Sequence, residues 1–189
     1  MPETILLAFL YAKIKKYKIK PLFKTWAIYP IVIFEIITTI GAFCAWFGEY
    51  KILNIFGSAT TLYLLLYIGL IFKYRLYVQA IIGSAFMIFG GMLNDIAIKA
   101  NNGFMPVFQS LSYHIRRVTL ENYHRVNDIH ILGSGNSNVK ILTDYIDLGY
   151  TILSVGDIFI RIFVFLIIYY SIKKINLQGE VKIVKINSI

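Results

Sequence analysis

Cysteine is almost missing from this chain. The single Cys44 sits in an apolar run, so no disulfide framework can form within one chain and no zinc-type cysteine spacing exists. Charge is scarce as well. Only 15% of the 189 residues are charged and 58% are hydrophobic, whereas a soluble domain carries roughly 25% charged residues. A mean hydropathy of +0.67 excludes an ordinary water-soluble domain and leaves length for several membrane spans. The net charge of +9 does not point to nucleic acid, because the charges lie between apolar segments, where membrane topology places them. The partner this implies is the lipid bilayer. Other absences narrow the chemistry. There is no HExxH, no GxSxG, no phosphate-cradling glycine loop and no Cys–His nucleophile arrangement, and therefore no implied cofactor or metal. The start "MPETILLAFLYAKIKK" is acidic first and basic afterwards, with no small-residue cleavage site, unlike a signal peptide. No internal repeat or low-complexity tract is present.

What is there is a set of long apolar runs. Four are near the ~20 residues that cross ~30 Å of hydrocarbon as a helix: 26–47, 52–72, 76–98 and 151–172. None alternates apolar and polar residues, which argues against a barrel. The fold class expected is an all-α membrane protein, a polytopic bundle with four firm transmembrane helices in one domain, 1–189. A short fifth helix over 3–14 either lies on the membrane surface or enters it, and the uninterrupted run Ile5 to Ala12 favours entry.

Orientation follows from the basic segments. Lys13, Lys15, Lys16, Lys18, Lys20 and Lys24, then Lys73 and Arg75, then Lys173, Lys174, Lys182 and Lys185 all fall on one side of a four-span chain, which should be the cytoplasm. Residues 99–150 then form a long outer loop, too long to be a bare connection. Within it, Pro106 is positioned to open a helix, with Val107, Phe108, Leu111, Ile115 and Val118 as its apolar stripe beside Arg116 and Arg117. The run "DIHILGSGNSNVKIL" reads as two short β-like pieces around a turn.

Polar residues in apolar runs are costly, at least ~2.5 kcal/mol for a central charge on insertion scales, so each needs a reason. Glu35 is mid-span: either a proton or cation site, or a protonated carboxyl bonded to Thr38, Thr39 or another helix. Asp157 and Arg161 are four apart and can pair on one face. Asp157 is also the third helical position of a capping box begun by Ser154, which would start the helix near Val155. Asp95 can pair with Lys99. Asn101, Asn102 and Gly103 suit a helix stop needing a left-handed residue. Asn94 has no such account. His114, His124 and His130 lie in the outer loop without metal-motif spacing, and a metal site would have to be assembled from distant residues such as Asp144 or Asp157.

The runs "LNDIAIKANNGFMPV", "HILGSGNSNVKILTDYIDL" and "SVGDIFI" together resemble a family of small bacterial multi-pass membrane proteins known only as a domain of unknown function. The matching positions are Asn101, Asn102, Gly103, Met105, Pro106 and Val107 in the corner, His130 and Asp144 in the loop, and Ser154, Gly156 and Asp157 at the last helix. The resemblance covers most of the chain, including the apolar start and the basic stretch. "GSGNSN" departs from the acidic-Thr turn of such loops. The resemblance implies no activity, but it directs attention to His130, Asp144 and Asp157. The candidate polar corner is thus Asn94, Asp95, Asn101, Asn102, His130, Asp144 and Asp157, with Glu35 and Arg161 as intramembrane ionisable groups.

Three functions remain open on these residues. One is a non-enzymatic binding or accessory component of a membrane complex, with a protein partner or self-association. Another is an enzyme at the outer surface using His130 with Asp144 or Asp157. The third is a small transporter, or its substrate-binding subunit, with Glu35 and Asp95 along the path.

Overall fold

The computed structural model describes residues 1–56, 60–116 and 129–187. It is mostly helical and divides into two compact units: Met1–Ile36 with Thr61–Ser84 and Arg161–Ile189, and Ile37–Thr60 with Ala85–Ile160. Among the described residues three helices are long and apolar enough to cross a membrane, Trp26–Ala45, Tyr77–Ala100 and Val155–Gly179. The first begins as a 3-10 turn, Trp26–Ile28, and continues as α2, Tyr29–Trp46. The second is α6, Tyr77–Ala100. The third opens α8, Val155–Asn187.

The expected count of four firm spans is therefore corrected to three, with one shorter apolar helix. The run 52–72 is not one helix. It contains α3 (Lys51–Phe56), α4 (Thr60–Leu65) and α5 (Ile68–Tyr74). Between the last two the backbone tightens to three-residue bonds, Leu66 N to Tyr63 O at 3.1 Å and Tyr67 N to Leu64 O at 3.3 Å. The continuous apolar stretch is Tyr63–Tyr74, about 18 Å long at 1.5 Å per residue, short of the ~30 Å of hydrocarbon. Hydropathy counts apolar residues and does not report where a helix is interrupted.

The first unit holds an apolar core. α1, Pro2–Ile14, buries Thr4, Ala8 and Ala12, a small-residue stripe at four-residue spacing that allows close helix approach. Its contacts run in step along α8. Thr4 meets Arg161, the Tyr11 ring lies near those of Phe165 and Tyr169, and past the helix end Lys18 exchanges hydrogen bonds with Asn176. α1 and α8 are therefore parallel. Ile28, Ile31, Tyr67, Leu70, Val164, Ile167 and Ile168 fill the space between the elements, all at 0–1% exposure.

The second unit departs from the all-α expectation. β1 (Met105–Val107) pairs in parallel with β2 (His130–Leu132), and β3 (Ile146–Asp147) pairs antiparallel with β4 (Ile152–Leu153). Two readings of the loop are overturned here. Pro106 does not open a helix. It is the middle of β1, and its carbonyl accepts from Asp144 N at 3.1 Å, a role that needs no N–H from proline. The helix, α7, begins later and spans Leu111–Arg116. Leu111 and Ile115 of the expected stripe lie on it, while Arg117 and Val118 fall outside the described residues. The two β-like runs do not form a hairpin either. His130–Leu132 finds its partner in β1, and the second run becomes a left-handed Val139 followed by a 3-10 turn, Lys140–Leu142. Sequence alternation suggests a strand but not its partner, which here comes from more than twenty residues upstream.

Candidate functional site

The polar corner resolves into separate arrangements. The first joins α6 to the start of α8. Ser154 caps α8: its hydroxyl accepts from Asp157 N at 2.9 Å, and Asp157 Oδ2 accepts from Ser154 N at 3.2 Å, the reciprocal capping box expected from "SVGD". Asn94 completes it. Its Nδ2 donates to Asp157 Oδ1 at 3.0 Å, and its Oδ1 accepts from the Ser154 hydroxyl at 2.7 Å. The puzzling Asn94 thus satisfies a helix end. Glycines make the contact possible. A Cβ on Gly156 would lie 2.1 Å from Asn94 Oδ1 and 2.4 Å from Gly90 O, and one on Gly90 would lie 2.3 Å from Gly156 O. Phe86 and Phe89 close over Phe159 beside this crossing. Asp157 does not pair with Arg161, because its oxygens are engaged by the cap.

The second arrangement is the end of α6. Gly103 N donates to Ile98 O at 2.9 Å, and Asn102 is left-handed at φ 57°, the stop expected from "NNG". Asn101 does more than end the helix. Its amide donates to Ala97 O at 2.8 Å and Asn138 O at 3.0 Å, and its Oδ1 accepts from Asn138 N at 2.8 Å. Asn138 in turn donates to Ala100 O at 2.9 Å. Asp95 stands apart from both arrangements. It is 60% exposed and paired with Lys99 at 2.7 Å, so the structure does not gather it into the corner.

The third arrangement is His130 with Asp144. His130 Nε2 lies 3.2 Å from Asp144 Oδ2, and the side chains are 37% and 5% exposed. Strand pairing positions the two residues. Met105 of β1 is the register partner of His130, while Asp144 bridges Val107 on the other edge. A buried carboxylate against a half-exposed imidazole fixes the orientation of the ring. His114 is exposed on α7. His124 lies outside the described residues. Among the described residues no group of three or more His, Cys, Asp or Glu side chains is placed to hold a metal.

Sequence reasoning overlooks Asp147. Its Oδ2 accepts from Ser110 N and Ser112 N, both at 2.8 Å, and from the Ser112 hydroxyl at 2.7 Å, while its Oδ1 accepts from Gly149 N at 2.8 Å. It therefore caps α7 from a distant part of the chain. Partial burial works to raise its pKa, but hydrogen bonds from Ser112, Ser110 and Gly149 outweigh that and lower it from 3.8 to about 2. The signal available is "DLG", an aspartate two before a glycine, the mark of a side-chain turn; Gly149 is left-handed at φ 88°.

In the other unit, Glu35 and Arg161 are both engaged. Glu35 Oε1 accepts from the Tyr63 hydroxyl at 2.5 Å, and Oε2 lies 3.4 Å from the Met1 amine. Tyr63 also hydrogen-bonds Tyr67, which is fully buried. Arg161 forms an ion pair with Glu3 and donates to Thr4 Oγ1 at 3.4 Å. The partner expected for Arg161 is Asp157; the actual one is on α1. Only proximity in space, not the four-residue spacing, could have named it.

No curated protein and no solved structure matches this chain. A family model of unknown function matches residues 19–169. That range includes the corner, the loop pair and the capping box, and it begins after the apolar start and after four of the six lysines that follow it. The chain thus belongs to the family of unknown function DUF5317.

Proposed function

We propose that this multi-pass membrane protein is a non-enzymatic accessory component, and that the face carrying His130 meets a protein partner or a second copy of the chain. The carrying observation is the His130–Asp144 pair, a half-exposed imidazole held against a buried carboxylate on the β1–β2 framework. An imidazole so held offers a directed polar contact. In this reading the lysine-rich segments face the cytoplasm of a bacterial cell, 99–150 faces outward and α1 enters the bilayer beside α8, an arrangement in which the short apolar stretch Tyr63–Tyr74 returns the chain across a locally thinned bilayer. The lysine distribution and the parallel α1–α8 contacts support that placement.

The test is purification of the full chain in mild detergent followed by mass spectrometry of whatever is retained. A stoichiometric partner or dimer, lost in His130→Ala while the monodisperse elution and helical content stay, is the expected result. A clean monomer in the wild type sinks the reading.

The same pair supports a second reading, an outer-surface enzyme with His130 as acid/base and Asp144 as its orienting group. It predicts that His130→Ala abolishes conversion of a component of a membrane extract, leaving partner retention intact. Asp157 has no place in it, since the α8 cap holds that carboxylate.

A further inference from the structure

The segment before α2 and the helix α5 enclose a groove of about 730 Å³, within the ~300–1,000 Å³ typical of ligand sites. Its floor is low because two small residues meet there. A Cβ on Gly69 would lie 3.2 Å from Ala27 Cβ. Trp26 and Phe72 line it, each 65% exposed, and the Trp26 ring edge lies 3.7 Å from where a Cβ on Gly69 would stand. Pro30 and Ile68 extend the apolar walls, and among the described residues Lys73 is the only charged one lining it.

Next in sequence to the lining residues Trp26 and Lys73, Thr25 Oγ1 and Tyr74 OH share a buried hydrogen bond at 2.5 Å. The charged chain neighbours of these two residues flank that bond in sequence, and Lys73 is the one that lines the groove. They are Lys24 on one side, and Lys73 and Arg75 on the other. All three are exposed, and none enters an ion pair among the described residues. Lys73 rests 5.9 Å from the centre of the Tyr74 ring. The shape is apolar along its length and positive at one tip, with a tryptophan at the rim.

We propose that this groove is a binding site for an anionic phospholipid, with one acyl chain lying over Ala27 and Gly69 and the phosphate at Lys73, Lys24 and Arg75. The charge decides the class. A zwitterionic headgroup brings its own cation to the tip, whereas an anionic headgroup leaves a net negative charge for the three cations. Lipid at a merely greasy surface exchanges without preference, so selectivity for the headgroup separates the site from the surrounding bilayer.

The experiment is delipidation of the full chain followed by reconstitution in nanodiscs containing equal phosphatidylglycerol and phosphatidylcholine, then native mass spectrometry of lipid retained on extraction. Phosphatidylglycerol is expected to be retained in preference. Lys73→Gln should lower that preference roughly fivefold, and Lys24→Gln with Arg75→Gln should reduce it further. These side chains are exposed, so an unchanged elution profile and helical content confirm folding. Phe72→Ala should lower retention of the lipid without changing its headgroup preference. Equal retention of the two lipids overturns the proposal, as does an unchanged preference in the charge variants. Competition by millimolar inorganic phosphate as strong as that by the lipid would reassign the tip to a free anion.

Discussion

Two carboxylates of the first unit and two of the second are held by different means. In the first, Glu3 is met by the Arg161 guanidinium, and Glu35 by the Tyr63 hydroxyl and the Met1 amine. In the second, Asp157 and Asp147 are met largely by backbone N–H groups, hydroxyls and an amide. For Glu35 and Asp157 the reason lies in where each residue stands; Glu3 stands in the first turn of α1, yet its partner is the Arg161 side chain. Inside an apolar helix every N–H is bonded to the preceding turn, so a carboxylate there must find a side chain. At a helix N-terminus the first N–H groups are unpaired and face outward, so a carboxylate there neutralises itself against backbone and dipole. One device depends on a second charged residue. The other depends on close backbone approach.

That contrast can be broken at its strongest point first. Arg161→Met strands the Glu3 carboxylate, and loss of one partner from a buried pair costs about 3–5 kcal/mol. Thermal unfolding in detergent should show a larger loss than either Gly156→Ala or Asp147→Asn produces. Adding Glu3→Gln should restore most of it, and a double variant no better than the single would mean that the charge was not the cause.

The second unit should be sensitive to volume instead. Gly156→Ala places a carbon 2.4 Å from Gly90 O and 2.1 Å from Asn94 Oδ1, and overpacking of this kind costs about 1–3 kcal/mol. Gly91 makes the control, since a Cβ there meets nothing within 4 Å. Equal melting temperatures for Gly156→Ala and Gly91→Ala would refute the close-approach account.

The smallest effect is in pH. Asp147 has a folded pKa lowered from 3.8 to about 2, so the native state prefers its ionised form. Its contribution is present above the unfolded value and is lost as pH falls through the folded one. Hydrogen-exchange protection of the Ser110 and Ser112 amides should therefore decline between about pH 4 and pH 2, and Asp147→Asn should remove that pH dependence. Protection flat across this window in the wild type would count against the cap.

The capping box is legible in the sequence because it is local. Ser154 and Asp157 are three apart, and the side-chain and backbone geometry that joins them is the same in any helix. The stop at Asn102 and Gly103, and the Asp95–Lys99 pair, are legible for the same reason. The run 52–72 reads as a span because its interruption at Leu66 and Tyr67 leaves no mark on composition. Pro106 reads as a helix start because proline suits both that place and a strand position that needs no donor, and only the arrival of residue 144 at β1 chooses between them.

The sequence by itself therefore determined the membrane character, the local caps and the helix stops, all set by interactions within a turn or by transfer from water to lipid. The tertiary structure decided the partners. Arg161 had Asp157 within reach along its own helix and took Glu3 instead. Asn94 looked like an unneeded cost until Ser154 and Asp157 came to it across the Gly90–Gly156 contact. Such pairings depend on which helices pack together and at what distance, and many different sequence separations satisfy the same chemistry.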